Sequence, residues 1–149
     1  MKEHALSDLT IGLTDRLEVE VTQADVDRFV EFSGDRSAVH VNDDYARAKG
    51  FPGRIAHGML MGAYVSALVG NQLPGKHGIL QSCELEFRAP LIPPERIEIV
   101  GEVTGVSAGT GQVTLKVTVK NSSGKILATA KVKSIVREPA DKNKAVSVA

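Results

Sequence analysis

The chain has almost no cysteine and no net charge. Its one cysteine, Cys83, excludes an internal disulfide and is typical of a protein from a reducing compartment. Lysine plus arginine and aspartate plus glutamate each number 18, so the chain lacks the basic field with which proteins bind nucleic acid. The first residues, MKEHALSDL, contain no apolar run typical of a secretory signal. We therefore expect a cytoplasmic protein that binds neither nucleic acid nor a membrane.

Histidines are also few, and they are scattered along the chain. The four of them, with the single cysteine, offer no spacing typical of a metal site, so we predict no metal and no cofactor. His4 lies in the N-terminal segment, and His77 lies in a loop rich in proline and glycine, where we expect it to be solvated. The remaining two, His40 and His57, lie in a more informative stretch.

The length of 149 residues indicates one domain that is large enough to bury a core. Residues 1–10 are interpreted as a short arm and residues 11–137 as the globular domain. Residues 138–149 mix proline, lysine, aspartate and alanine without periodicity, and we predict that they are disordered.

The pattern of apolar residues predicts a helix inside a sheet. Residues 58–70 contain no charge and are apolar almost all round, which predicts a helix buried on every side, although it is too short to span a bilayer. A first strand is predicted at residues 17–21. Four further segments alternate like half-buried strands, at residues 79–89, 96–106, 112–121 and 125–136. In the first of these four, Cys83 shares the apolar side and is expected in the core. The sequence thus predicts an α+β fold with an antiparallel sheet around a central helix.

Two residues after another predicted helix could act as an acid and a base. Thr22 is a good N-cap for this helix, with Asp25 completing the cap, and Gly34 suits the left-handed residue at its end. The next residue, Asp35, and His40 are five positions apart, so they could converge only across an irregular loop. A carboxylate and an imidazole held there could exchange protons near neutral pH. The alternative is that Asp35 caps a turn and His40 is a surface residue.

The stretch around this pair resembles the signature of the MaoC-like, or hydratase 2, family of (R)-specific enoyl-CoA hydratases, which have the hotdog fold. That signature is approximately S-G-D-x-N-P-x-H-x-[DN]-P-x-[FY]-A, followed by a P-x-x-H-G-M-type turn. The residues that match it are Ser33, Gly34, Asp35, His40, Asn42, Tyr45, Ala46, His57, Gly58 and Met59. The resemblance extends over residues 13–136, which is nearly the whole predicted domain.

The resemblance implies a reaction and a set of roles. The reaction is the reversible syn hydration of a trans-2-enoyl thioester to a (3R)-3-hydroxyacyl thioester. Asp35 and His40 would share the attacking water, and Gly58, at the start of the buried helix, would let backbone N–H groups stabilise the enolate oxygen. His57 would either brace the loop, which we favour, or contribute directly to the site. The residues expected to contact the substrate, acyl-CoA or acyl-carrier protein, are Ser37, Arg54, Met59 and Arg88.

The resemblance also implies assembly. A single sheet curled over one helix leaves a strand edge uncovered, and hotdog proteins usually cover it by pairing two sheets edge to edge. We therefore expect a homodimer.

Some positions depart from the family pattern. The usual asparagine and proline are Ser37 and Ala38, the second proline is Asp43, and a serine often found on the helix is Ala63. Serine reaches less far than asparagine and alanine leaves the backbone freer, so we expect a looser Asp35–His40 pair.

Three other functions stay open at this point. The same chemistry in reverse would make the chain a 3-hydroxyacyl-carrier-protein dehydratase. A hotdog thioesterase would use the carboxylate to activate water against the carbonyl. A non-catalytic subunit that binds acyl thioesters is compatible with the changes at Ser37 and Ala38.

Overall fold

The computed structural model describes residues 1–139, and its centre is one five-stranded antiparallel sheet. The strands are β1 (Thr14–Val21), β2 (Gly78–Phe87), β3 (Glu95–Ser107), β4 (Gln112–Asn121) and β5 (Ile126–Val136). They lie in the order β1-β3-β4-β5-β2, so β1 and β2 form the two edges. Residues 140–149, most of the predicted disordered tail, lie outside the described residues.

Four α-helices accompany the sheet. They are α1 (Gln23–Ser33), α2 (Ala38–Val41), α3 (Asp43–Ala48) and α4 (Gly58–Asn71). The predicted strands and the predicted central helix are all present, within a few residues of their expected bounds. The α+β architecture expected from the sequence is therefore confirmed. None of the helices in the part of the chain described here is long and apolar enough to cross a membrane.

The core lies between α4 and the concave face of the sheet. Strand β4 shows the alternation most clearly, because Val113, Leu115, Val117 and Val119 are fully buried while Lys116 is exposed. On β3, a side chain at Gly101 would place its Cβ 2.8 Å from Leu68, so a glycine there lets the strand approach the helix closely.

Helix α4 is not buried on every side within one chain, as the sequence had suggested. Its buried residues are Leu60, Met61, Val65, Leu68 and Val69. Met59, Ala63 and Ser66, which follow at spacings of four and three and so share a face, are exposed. The sheet covers only part of the circumference of the helix, and this stripe remains open.

Strand β2 also differs from the expectation, because most of its residues are exposed on both faces. The placement of Cys83 in the core is wrong: the side chain is exposed. The apolar residues Ile79, Leu80 and Phe87 of the same strand are between 39% and 52% exposed. Strand β2 is an edge strand with a hydrogen-bonded neighbour, β5, on one side only. Its alternating sequence therefore belongs to a surface that one chain leaves uncovered.

The N-terminal arm packs against the rest of the molecule. Glu3 forms a β-bridge with Gly75 in the loop after α4, and Leu9 is buried. The expectation that His77 is solvated is wrong, because its side chain is only 10% exposed and its Nε2 lies 3.0 Å from a carboxylate oxygen of Glu3. The arm accounts for this difference, since it covers the loop that holds His77.

Candidate active site

Asp35 is placed by the end of helix α1. The helix begins with the predicted capping box, in which the Thr22 side chain accepts the N–H of Asp25 and the Asp25 carboxylate accepts the N–H of Thr22. It ends at Gly34, whose φ of +74° is the left-handed conformation that glycine favours. The chain then turns, and the N–H of Asp35 donates to the hydroxyl of Ser33 at 3.1 Å. The Asp35 side chain is left about half exposed.

His40 lies in the one-turn helix α2 rather than in the irregular loop that the sequence suggests. Its Nδ1 is 2.8 Å from the backbone carbonyl of Ile55. A carbonyl can only accept, so Nδ1 carries the hydrogen and Nε2 of a neutral ring presents a lone pair. This contact fixes both the ring and its tautomer, as in many sites where a histidine exchanges protons.

His57 contacts both other residues, and the bracing role favoured from the sequence stays a prediction. It is 2% exposed, and its Nε2 donates to the backbone carbonyl of Asp35 at 3.0 Å. Its ring stacks on that of His40, with centroids 3.8 Å apart, and lies 4.8 Å from the ring of Phe29. Its Nδ1 is buried and finds no hydrogen-bond partner among residues 1–139. The ring thus links the backbone of Asp35 to the imidazole of His40.

The three side chains converge although 22 positions separate the first from the last. One titratable atom from each of Asp35, His40 and His57 lies within 4.8 Å of the others. Two hydrogen bonds of about 2.8 Å that meet at a water molecule span about 4.6 Å, so a water can bridge the aspartate and His40. The same atoms could geometrically surround a metal ion, but Nδ1 of His40 and Nε2 of His57 already donate to carbonyls. The expected absence of a metal stays a prediction.

Ser37 contacts Asp35 in this structure. Its hydroxyl donates to Asp35 Oδ1 at 2.6 Å, and its backbone N–H donates to the same oxygen at 3.0 Å. These bonds, the hydroxyl first, hold the pKa of the Asp35 carboxyl below its usual range. The looser Asp35–His40 pair expected from the change of asparagine to Ser37 stays a prediction, although two hydrogen bonds from Ser37 hold the carboxylate itself.

A cavity of about 350 Å³ opens beside this cluster, and Gly58 and His40 form part of its wall. A Cβ at Gly58 would lie 2.8 Å from the ring of Phe87, so a side chain at this position would collide with that ring. The wall is otherwise mainly apolar, with the remaining residues Phe51, Ile55, Ala56, Met61, Phe87, Arg88, Ala89, Pro90 and Leu91. Such a cavity suits an acyl chain next to a polar reacting end.

The other residues expected to contact the substrate fall in different places. Arg88 lines the cavity and also pairs with Glu86. Arg54 is not part of the cavity wall. Its guanidinium pairs with Asp27 at 2.8 Å and reaches the carbonyl of His40 at 3.4 Å, so it holds the segment around His40 instead. Met59 lies on the exposed stripe of α4.

Sequence reasoning missed Ile55 and Phe29. The first acts through its backbone carbonyl, which no side-chain motif reveals, and the second packs against His57 from an ordinary position in α1. The spacing between Phe29 and Gly34 gives no signal of the contact with His57. The large apolar side chain of Phe29, near the end of α1, is a weak signal of it.

Residues 11–125 match the model of the MaoC like domain, which is most of the chain. Over 115 residues the chain is 34% identical to an (R)-specific enoyl-CoA hydratase of Rhodospirillum rubrum, covering 77% of this chain and 80% of that protein. It is 38% identical over 96 residues to a 3-hydroxybutyryl-CoA dehydratase of Methylorubrum extorquens, covering 64% of this chain and 61% of that protein. The match thus spans less than two thirds of this dehydratase.

A solved structure shows the same architecture. The unliganded R-hydratase from Pseudomonas aeruginosa superposes with a TM-score of 0.84 at 29% identity, over 90% of this chain and 86% of that one. Because the family model covers well over half of the residues and the folds agree, the chain belongs to the MaoC-like domain family, a family of hydro-lyase enzymes with the hotdog fold.

Proposed function

We propose that this member of the family is an (R)-specific enoyl-CoA hydratase, which adds water reversibly to trans-2-enoyl thioesters to give (3R)-3-hydroxyacyl thioesters. The observation that carries the proposal is the convergence of Asp35 and His40, within the span of one bridging water, beside an apolar cavity whose wall includes His40. Neither a cavity nor a histidine alone would support this reaction. Both named relatives, the hydratase and the dehydratase, act by adding or removing water.

The proposed reaction uses the pair as base and acid. One of Asp35 and His40 takes a proton from the water as its oxygen attacks C3 of the enoyl thioester, while the other delivers a proton to C2. Because the two groups would act through one shared water, the hydroxyl and the proton would add to the same face of the double bond. Syn addition on one face gives a single configuration at C3.

The start of α4 would stabilise the negative charge that develops on the thioester oxygen. The first N–H groups of a helix have no intrahelical partner, and the helix dipole places partial positive charge there. Gly58 is the first residue of α4 and borders the same cavity as His40. A thioester whose reacting carbons lie near His40 would therefore have its oxygen near these N–H groups.

The apolar part of the cavity would hold the acyl chain, and Arg88 would meet the phosphate-bearing arm of coenzyme A or of a carrier protein. Arg88 is the one cation in the cavity wall among residues 1–139. Its place in the cavity wall supports Arg88 over Arg54, which is not part of that wall.

The active form is proposed to be a homodimer with a continuous sheet. The exposed stripe of α4 and the exposed strand β2 are neighbours, because Gly62 of the helix packs against Leu85 of the strand. Strand β2 also has an unpaired edge. A second copy placed edge to edge would cover both features at once.

Dehydration of (3R)-3-hydroxyacyl thioesters is the second candidate, because two relatives are named dehydratases. One is the 3-hydroxybutyryl-CoA dehydratase described above, and the other is a 3-hydroxyacyl-[acyl-carrier-protein] dehydratase. Hydration and dehydration share one transition state, so the same residues serve both directions.

The cytoplasmic location expected from the sequence stays a prediction.

A paired assay on a four-carbon trans-2-enoyl-CoA tests the proposal. Loss of the absorbance of the conjugated enoyl thioester is followed together with release of free thiol, and the product is analysed on a chiral column. We expect loss of absorbance without thiol and a (3R) product. Thiol release would instead identify a thioesterase, and neither signal, with tight binding of the thioester, would identify a non-catalytic binding subunit.

A further inference from the structure

Ser37 donates two hydrogen bonds to one oxygen of the Asp35 carboxylate. The hydroxyl and the N–H of Ser37 both donate to Oδ1 of Asp35, at 2.6 Å and 3.0 Å. The carboxylate cannot rotate without breaking these two bonds. Its other oxygen, Oδ2, lies 4.0 Å from Nε2 of His57, on the side of the two histidines.

We propose that Ser37 is a positioning residue, whose hydroxyl holds the Asp35 carboxylate so that Oδ2 faces the water shared with His40. This inference rests on the proposed hydration. It replaces the role in substrate binding that the sequence suggests for Ser37, because Ser37 is not part of the cavity wall.

Other groups hold the backbone of Asp35. Its N–H donates to the hydroxyl of Ser33 at 3.1 Å, and its carbonyl accepts from His57 at 3.0 Å. Ser37 itself is exposed and packs into no core. Removing the Ser37 hydroxyl therefore changes the hydrogen bonding of the Asp35 carboxylate, while the remaining contacts hold the backbone of Asp35 in place.

The electrostatic effect of Ser37 has the same origin as its geometric effect. The hydroxyl is the largest cause of the lowered pKa of Asp35, ahead of the N–H of Ser37. Hydrogen bonds that donate to a carboxylate favour its ionised form. Without the hydroxyl the pKa of Asp35 rises, and the carboxylate becomes protonated at a higher pH than in the unaltered chain.

The test compares Ser37→Ala with Ser37→Thr, which keeps a hydroxyl, and with Ser33→Ala as a matched control. Ser33 is a serine of the same turn whose hydroxyl touches the backbone of Asp35 but not its carboxylate. The carboxyl carbon of Asp35 is followed through a pH titration by ¹³C NMR in all four proteins. Separately, kcat and KM are measured on a four-carbon trans-2-enoyl-CoA.

For Ser37→Ala we expect an Asp35 pKa above that of the unaltered chain. We also expect kcat to fall on the order of 10-fold to 100-fold, as for loss of a hydrogen bond to a charged group, with KM nearly unchanged. Ser37→Thr should restore both values, and Ser33→Ala should leave the carboxyl titration unchanged.

Two results would overturn the proposal. The first is a raised KM at unchanged kcat in Ser37→Ala, which would make Ser37 a substrate contact. The second is an Asp35 pKa that is ordinary in the unaltered chain or insensitive to the loss of the hydroxyl. The titration needs no substrate, so it tests the role of Ser37 even if the chain proves inactive as a hydratase, which would contradict the proposed function alone.

Discussion

At the scale of single residues, the cluster depends on histidines that differ in their environments. His57 is buried and bonded to the backbone of Asp35, whereas His40 borders the cavity and keeps Nε2 available. The same residue type thus meets two different environments, and in the proposed reaction only His40 exchanges protons. A carbonyl partner fixes the tautomer of each ring, through Nδ1 in His40 and through Nε2 in His57. This difference is a second reason why the two histidines are not interchangeable.

The proposed reaction makes Asp35 and His40 act on one water, so their effects should not add. We expect Asp35→Asn and His40→Gln each to remove most of the hydration activity and leave the fold intact. The double variant should be little worse than either single one. Steady-state kinetics on a short enoyl-CoA, with circular dichroism as the control for folding, checks this. Near-full activity in either single variant would contradict the shared water.

Arg88 is expected to contribute to binding and not to chemistry. Replacing Arg88 by glutamine should raise KM for an enoyl-CoA several-fold at nearly constant kcat, because the contact is the same in the ground state and the transition state. Arg16→Gln is the matched control, since Arg16 of β1 pairs with Glu98 of β3 and is not part of the cavity wall. Equal kinetic effects in the two variants would remove Arg88 from the substrate path.

The sequence identified Asp35, His40, His57 and Gly58 because their types and spacing form a long ordered pattern. It could not reveal the carbonyl of Ile55 that fixes the tautomer of His40, since this contact involves no side chain of Ile55 and crosses 15 positions. The sequence could not reveal the hydrogen bonds from Ser37 to Asp35 for a related reason. Whether a short hydroxyl points to a ligand or to a neighbour depends on backbone angles that composition does not determine.

At the scale of elements, helix α1 was predicted to its ends, because Thr22, Asp25 and Gly34 give local signals that need no tertiary contact. Helix α2 was missed, since a single turn of four residues carries no periodicity. The strands were found by their alternation, yet that pattern predicted the wrong environment for Cys83. Alternation shows that a strand has two different faces, but it does not show which chain covers them.

The N-cap of α1 should contribute measurably to stability. Thr22→Ala removes the side-chain oxygen that accepts the N–H of Asp25, and we expect a loss of about 1 kcal/mol in the free energy of unfolding. Thr22→Ser keeps the oxygen and should lose much less. Chemical denaturation of the three proteins gives the comparison, and equal midpoints for alanine and serine would show that the cap is dispensable.

At the scale of the whole molecule, one chain leaves an uncovered apolar surface made by β2 and the outer stripe of α4. The members of this surface are Met59, Ala63, Leu80, Cys83 and Phe87. Its size and position were not predictable from hydrophobic periodicity, which treated both elements as core. In the proposed dimer both β2 and the outer stripe of α4 become interior. The burial predicted from the hydrophobic periodicity would then be correct for two chains together and not for one chain alone.

We expect a homodimer at micromolar concentration, and Leu80→Lys should shift it toward monomer because a charge would be placed in the interface. Light scattering measures the mass, and Ile126→Lys is the matched control, since Ile126 is similarly exposed but outside this surface. Cys83 offers an independent check, as its alkylation should be slower in the dimer than in the Leu80→Lys variant. An active, stable monomer would contradict the proposal.

The attachment of the N-terminal arm has a practical consequence for orienting the enzyme. Glu3 is fixed beside Gly75, next to the C-terminal end of α4, whereas Gly58 at the other end borders the cavity. Helix α4 has 14 residues, so the two ends are about 21 Å apart. A fluorescent protein or a surface tether joined ahead of Met1 would therefore emerge away from the entrance for substrate. Immobilisation through this end should leave the cavity facing the solution.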